Sequence, residues 1–229
     1  MARQCLASDN TIKVEAAAPL VASTVQKVKL SGHANWGGAT SATTTRFALS
    51  MYVQDPDVDA SCSPTYSAQL QKSINLPGLN ASQAVTGFVV QDNQGVVPSP
   101  PAPTLDWSGE SLPFSVRLGL DRVLLCAYVR YVTDDVASYA LQVPVVAPAC
   151  RPKATKVRRG RSLAIRCNLA GTVKVKASRS GRKARTLTVR AAAGTGAAAL
   201  STRTLAKGSY RLSFSSGALS LGTARLRVT

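Results

Sequence analysis

The single histidine, His33, is the only imidazole in the chain and therefore the first residue to consider for acid–base catalysis. It lies in the Gly-rich sequence SGHANWGG, and no aspartate stands close to it in sequence. A hydrolytic triad would need distant Ser and Asp residues to converge on this ring. Glu15 and Glu110 are the only glutamates, and neither has the setting of a glycosidase carboxylate. We therefore expect no catalytic residue and no enzyme activity, and we interpret His33 as a loop side chain.

Three aspartates form the one acidic cluster with a metal-like spacing. Asp55, Asp57 and Asp59 alternate in QDPDVDASC as the oxygen ligands of a calcium loop do. When Asp55 is counted as the first position, Ala60 replaces the turning glycine and Tyr66 replaces the bidentate glutamate, which excludes an EF-hand. Loops of β-sandwiches can hold calcium in other ways, so the three aspartates remain metal candidates beside the alternative of a solvated acidic loop. No cofactor is implied.

Cationic residues are strongly segregated along the chain. Residues 151–229 contain 19 Lys or Arg and no Asp or Glu, whereas residues 1–150 carry 9 basic and 11 acidic residues. The change coincides with a junction that contains Pro144, Pro148 and Pro152. We therefore predict two domains, a near-neutral one over 1–149 and a strongly basic one over 150–229.

The five cysteines favour disulfide bonds over metal or redox chemistry, because the chain has no C-x-x-C spacing and only one histidine. Pairing cysteines on the same side of the charge change predicts the bridges Cys62–Cys126 and Cys150–Cys167. Cys5 is then left over. For Cys5 an intermolecular bridge, and so self-association, an upstream partner and a free thiol all remain open.

The cysteines also bear on the cellular compartment. Disulfides favour an extracellular or cell-surface location, with five reduced cysteines in a cytosolic protein as the alternative. Residues 1–20 lack the order of a signal peptide, so we expect the signal to be removed or missing, or the protein not to be exported. Arg3 and Gln4 stand where small residues precede a lipid-bearing cysteine. No run of 18 apolar residues predicts a transmembrane segment.

Short β-strands dominate the first domain, and helices have almost no place to begin. Residues 122–132 are apolar on both faces, as in a central strand. The prolines of 96–104 predict an extended loop. We therefore predict one antiparallel sandwich over residues 8–149, with strands at 11–15, 24–30, 45–53, 87–91, 114–118, 122–132 and 138–146.

In the second domain, apolar and cationic residues alternate with a period of two, which places the charges on the outer faces of a sandwich. Turn signals at 170–171, 180–181, 194–196, 207–208 and 221–222 indicate about seven strands. The outward cations that we single out as anion-binding candidates are Arg166, Lys174, Lys176, Arg190, Arg211, Arg225 and Arg227.

Several segments carry a resemblance to known modules. The cysteine after the strand ending at Val53, the late strand LLCAYV and the closing strand ASYALQV resemble immunoglobulin-like modules of secreted proteins from high-GC Gram-positive bacteria. KVRRGRSLAIRC and LAKGSYRLSF resemble the immunoglobulin-like or fibronectin-III-like modules found near the C-termini of such proteins. The chain departs from antibody domains, since Leu124 rather than Tyr lies two residues before Cys126 and no Trp follows Cys62 closely. The resemblance implies an all-β protein of two tandem immunoglobulin-like antiparallel β-sandwich domains.

Two functions of different class fit the basic domain. In the first, the chain is a non-enzymatic extracellular or cell-surface structural or adhesive module whose cations keep strand edges soluble, with a neighbouring surface protein as partner. In the second, the cations bind a cell-envelope polyanion such as teichoic acid, an acidic glycan, an anionic membrane or nucleic acid. Tyr210 and Phe214 are the only aromatic residues after 150 and are predicted to face the core, which argues against sequence-specific nucleic-acid binding.

Overall fold

The computed structural model describes residues 10–16, 19–35, 47–76, 85–86, 88–90, 104–131, 134–193 and 195–229. The chain divides into two compact units, Met1–Val146 and Ala147–Thr229, which we call unit 1 and unit 2. The division lies a little before the predicted boundary between 149 and 150. Asn168 ties these junction residues to unit 2, because its side chain accepts the N–H of Ala149 at 2.7 Å and donates to the carbonyl of Ala147 at 2.9 Å.

Unit 1 is a sandwich of two sheets with one helix. One sheet has the order β1-β3-β7-β6 and the other β2-β9-β8-β4-β5, and all ladders are antiparallel except the parallel β2–β9 pair. The elements are β1 (Thr11–Glu15), β2 (Leu20–Val21), β3 (Lys29–Asn35), β4 (Phe47–Gln54), α1 (Tyr66–Asn75), β5 (Val85–Thr86), β6 (Phe88–Val90), β7 (Thr104–Ser111), β8 (Arg122–Tyr131) and β9 (Asp134–Val146).

Strand β8 is buried on both faces, as its sequence predicts, but the second cover is the helix. Val123 and Leu125 pack in the core between the two sheets, whereas Leu124 and Tyr128 point to the opposite side. There they join Tyr52 in a cluster covered by Tyr66 and Leu70 of α1. The expectation that helices have almost no place to begin was therefore wrong for residues 66–75.

Local chemistry explains why α1 forms and where it sits. Thr65 caps the helix, since its Oγ1 accepts the N–H of Ala68 at 3.2 Å. The buried amide of Gln69 accepts from the Ser63 N–H at 2.9 Å and from the Tyr128 hydroxyl at 3.1 Å. It also donates to Oε1 of Gln54 at 2.8 Å. A polar network thus fixes the helix on the sheet.

The strand predicted at 114–118 was wrong, and the one predicted at 24–30 was right only at its end. Residues 24–28 and 114–118 contribute only the isolated bridge between Gln26 and Phe114, whereas Lys29 and Leu30 belong to β3. The Gln26 side chain hydrogen-bonds to both the N–H and the carbonyl of Val21, at 2.8 and 3.0 Å, and so holds this segment in a local turn. Strand β3 therefore begins near the end of the predicted segment, and β7 occupies residues that no predicted strand covers. Most of the predicted loop 96–104, and the two ends of predicted strand 87–91, lie outside the described residues.

Unit 2 is a smaller sandwich. Its sheets have the orders β10-β12-β15 and β11-β17-β16-β13-β14, and β11 pairs parallel with β17. The strands are β10 (Cys150–Pro152), β11 (Lys156–Val157), β12 (Ser162–Cys167), β13 (Gly171–Arg179), β14 (Arg182–Ala191), β15 (Ala197–Ser201), β16 (Gly208–Ser216) and β17 (Leu219–Val228).

One predicted turn in unit 2 was wrong, because Leu221 and Gly222 lie inside β17. The β16–β17 register changes between Ser213 and Ser215, so the two residues form a bulge opposite Phe214. Gly222 has a φ of +99°, which explains why a glycine stands there.

The two units share most of their strand arrangement, although β6 of unit 1 has no counterpart in unit 2. In each, the first and third strands lie in one sheet, and the other sheet opens with a short strand that runs parallel to the last strand of the unit. The remaining strands follow the two-sheet order of an immunoglobulin-type sandwich. The predicted fold class, all-β with immunoglobulin-like antiparallel sandwiches, is confirmed.

Candidate anion-binding surface

Six of the seven predicted anion-binding residues lie on the outer face of the five-stranded sheet of unit 2. All six are exposed, and Lys156 of β11 joins them through its register with Arg227. The seventh, Arg166, lies on β12 in the three-stranded sheet. We call the following residues the basic face: Lys156, Lys174, Lys176, Arg190, Arg211, Arg225 and Arg227.

Alternation along each strand places these charges outside. On β13, Val173 and Val175 are fully buried in the core, while Lys174 and Lys176 point to solvent. A shift of one residue in register would bury both ammonium groups, so the apolar set fixes the direction of the charges.

Four cross-strand pairs in unit 2 bring two cations directly opposite each other. Like charges opposed across a ladder destabilise a sheet, and no acidic side chain exists in residues 151–229 to relieve them. The unit therefore carries a repulsion that an external anion would relieve. The pairs are Arg151–Arg166, Lys156–Arg227, Arg179–Arg182 and Arg211–Arg225.

Hydroxyl groups fill the space between the cations of the basic face. Ser213 and Ser215 lie opposite Lys176 and Lys174, and Ser209 lies opposite Arg227. Such hydroxyls can donate to or accept from the oxygens of a ligand. The result is a polar, cationic surface without a side chain that repels an anion.

The two aromatic residues of unit 2 point away from this surface, as predicted. Phe214 is 1% exposed and Tyr210 is 9% exposed. Neither ring can act as a platform for an unstacked base on the basic face. The described part of the basic face therefore offers charges and hydroxyl groups but no aromatic ring.

The three metal candidates of unit 1 face three different cations. Asp55 is buried and pairs with Arg117, Asp57 pairs with Arg122 at 2.7 Å, and Asp59 pairs with Lys72 at 2.6 Å. The hydrogen bond from Lys72, followed by that from the Ser61 N–H, lowers the pKa of Asp59.

Within the described residues, no group of three or more His, Cys, Asp or Glu side chains could hold a metal ion. The structure therefore uses the acidic loop 55–59 for ion pairing, with each carboxylate neutralised by a separate cation.

His33 lies in strand β3 rather than in the loop that its glycine-rich sequence predicts. Asp106 of β7 lies directly opposite it, and Nδ1 of the ring is 2.6 Å from Oδ1 of the aspartate. The N–H of His33 donates to Oγ1 of Thr11 on the other neighbouring strand at 3.0 Å. Sheet pairing thus supplies an aspartate that lies 73 residues away in sequence.

The two bridges expected from the sequence are present. Cys62 is bonded to Cys126 within unit 1, with the Cα atoms 5.5 Å apart. Cys150 is bonded to Cys167 within unit 2, and their Cα atoms are 4.1 Å apart because β10 and β12 are adjacent strands. Cys5 lies outside the described residues. Among the helices of the described segments, none has the length and apolar character needed to cross a membrane.

The chain matches no protein-family profile and no curated protein. Similar solved structures include an ICAM-5 D1–D4 ectodomain fragment, with 12% identity and a TM-score of 0.29 over 96% of this chain and 47% of that one. The Yersinia pseudotuberculosis adhesin InvE has 8% identity and a TM-score of 0.31, over 99% of this chain and 60% of that one. Escherichia coli alpha-2-macroglobulin has 11% identity and a TM-score of 0.35, over 97% of this chain and 17% of that one. The chain thus spans less than two thirds of each of these proteins.

Proposed function

We propose that this protein is a non-enzymatic extracellular or cell-surface module, and that the basic face of unit 2 binds an acidic polymer of the cell envelope. The opposed cations carry this proposal. A protein that needed charge only for solubility could mix both signs and avoid the repulsion. Unit 2 instead places Arg211 directly opposite Arg225 and Lys156 opposite Arg227, with no acidic side chain in residues 151–229.

The geometry supports a chain-like ligand. Cations recur across the neighbouring strands β17, β16, β13 and β14, and hydroxyl groups lie between them. An extended polyanion could contact several of these strands at once and release its counterions, which gives affinity that falls steeply with salt. The intramolecular bridges in both units support an oxidising location such as the cell surface.

A structural or adhesive role without an anionic ligand is the second candidate. The repeated strand arrangement of the two units favours it, because tandem sandwiches are a common way to build a spacer. In this role the cations would only protect edges such as β14 from pairing with another chain. The two candidates differ in whether a polyanion binds.

Chromatography of the full chain over heparin, DNA and isolated cell wall at several salt concentrations separates them. We expect retention at low salt that disappears by moderate salt, because exposed charges are screened within about 10 Å at 0.1 M. Passage straight through all three columns at low salt would refute polymer binding and leave the structural role.

A further inference from the structure

The strongest additional site is a cleft in unit 2 on the inner side of the β13–β14 hairpin. Its volume is about 600 Å³, and its cationic lining residues are Arg179, Arg182, Lys183 and Arg185. The opposite wall is formed by Thr204, Ala206 and Tyr210. None of the four cations belongs to the basic face, so the cleft is a separate feature of the same unit.

The hairpin register explains how cations reach this inner side. Val175 and Ala177 of β13 face the core, and they lie opposite Leu187 and Arg185 of β14. Leu187 is half-buried and Arg185 is exposed. The residues on the core-facing side of β14 therefore become more exposed as the strand approaches the hairpin turn. Arg185 therefore points inward at a level where no apolar side chain needs the space.

Arg179 is held in place before any ligand arrives. Its Nη1 donates to the carbonyl of Lys207 at 2.6 Å. Its guanidinium packs over Gly208, where an added Cβ would lie 2.6 Å from the Arg179 Cζ. The Tyr210 hydroxyl donates to the carbonyl of Ala206 at 2.9 Å and fixes the same wall. A wall ordered in advance lowers the entropic cost of binding.

The lining indicates the chemistry of the ligand. Three guanidinium groups offer the planar paired donors that match a phosphate, and a volume of this size is typical of sites for small organic groups. A concave site excludes a flat lipid surface. Tyr210 is the one aromatic residue among those lining the cleft, and at 9% exposure it presents too little ring surface to stack a base. The chemistry that fits is a phosphate carried on a sugar or polyol chain.

We propose that this cleft binds one phosphate-bearing unit of the acidic polymer, while the basic face contacts the rest of the chain. The proposal rests on polymer binding by unit 2 and adds the chemical class of the polymer. It also distinguishes two contributions: the cleft selects phosphate, and the basic face supplies affinity that depends only on charge.

The test uses the full chain and two probes of equal charge, a synthetic oligo(glycerol phosphate) and a heparin fragment, measured at physiological salt. The cleft variant is R182Q/R185Q, and the matched control is R225Q/R227Q, which removes two charges from exposed positions of the basic face. We expect the cleft variant to bind the phosphate oligomer about tenfold more weakly or worse, because charged hydrogen bonds are lost. We expect the control to lose less for this short oligomer.

A third variant, R182K/R185K, keeps the charge and removes the guanidinium fork. It should lose the preference for the phosphate oligomer while retaining binding to the heparin fragment. The proposal is overturned if R182Q/R185Q binds the oligomer as the wild type does, or if the wild type binds the heparin fragment as tightly. In those cases the wild type would still bind long acidic polymers, and the proposed function would stand without the cleft. If the wild type bound none of the polyanions, the proposed function itself would be refuted.

Discussion

Reversing one charge on the basic face should make unit 2 more stable. Arg225 lies directly opposite Arg211, and no acidic side chain in residues 151–229 offsets the pair. The variant R225E turns this repulsion into an attraction and keeps a long polar side chain at an exposed position. If the cations are present for a ligand rather than for the fold, stability and binding should change in opposite directions.

The magnitude follows from the ladder geometry. Directly opposed residues place their charged groups about 6 Å apart, where two unit charges in water interact by roughly 0.7 kcal/mol. Reversing one sign therefore stabilises by about 1.4 kcal/mol at low salt, and screening reduces this to about half at 0.15 M. For a domain of this size, 1 kcal/mol corresponds to a shift of about 4–8 °C in melting temperature.

Amide hydrogen exchange of the β16 and β17 strands in the full chain reports the stability of unit 2 directly. The matched control is R203E, because Arg203 is exposed and lies outside the strands, and the net charge changes equally. The reasoning is refuted if R225E is no more stable than R203E at low salt. It is also refuted if added salt fails to stabilise the wild-type unit.

Three further predictions concern the two units separately. The variant Q69A should destabilise unit 1 by roughly 2–4 kcal/mol in urea unfolding, because the Ser63 N–H loses its acceptor and Gln54 Oε1 loses its donor; a loss below about 0.5 kcal/mol would contradict the network. Replacing Cys150 and Cys167 by serine should cost about 3 kcal/mol and lower only the calorimetric transition of unit 2, since we propose that the units fold separately; a single shared transition would refute that division. The pKa of Asp59 is lowered by its hydrogen bond with Lys72, so its contribution to stability is present above the unfolded pKa and is lost as the pH falls through the folded value. Acid titration followed by circular dichroism should therefore destabilise unit 1 and leave unit 2 nearly unchanged, and equal acid sensitivity of both units would be inconsistent with this account.

Much of unit 2 was accessible from the sequence because its strands alternate strictly. Valines and leucines at every second position allow only one register, and the cations then fall on the outside. Glycine was the residue type hardest to interpret, since Gly222 marks a bulge rather than a turn and only the pairing with Phe214 distinguishes the two.

In unit 1, the helix and the polar contacts could not be predicted from the sequence where tertiary contacts bury polar residues. Gln69 has the polarity of an exposed residue, yet it is the buried residue of α1, where three hydrogen bonds satisfy its amide. The spacing of Tyr66, Gln69 and Leu70 was a helical signal, but it depends on accepting a glutamine as part of the buried face. The pairing of His33 with Asp106 likewise required knowledge of which strands are neighbours.

The cleft was missed for a related reason. Alternation assigns every cation to an outer face, and it fails for Arg185, which lies on the inner side of an edge strand beyond the end of the core. The sequence could have indicated the hairpin cluster of Arg179, Arg182 and Lys183 by its density alone. The inward direction of Arg185 becomes visible only from the register with Ala177.

The most direct test of polymer binding by the basic face is the salt dependence of affinity for a long polyol-phosphate polymer, measured by titration of the full chain. The variant K174Q/K176Q removes two cations from the basic face, and R151Q/R166Q removes two from the three-stranded sheet. For the wild type we predict that log affinity falls steeply with log salt. In K174Q/K176Q the slope should be smaller by about one for each phosphate-binding cation removed, whereas in R151Q/R166Q it should be unchanged. Equal slopes for both variants, or no binding at low salt, would contradict the proposed function.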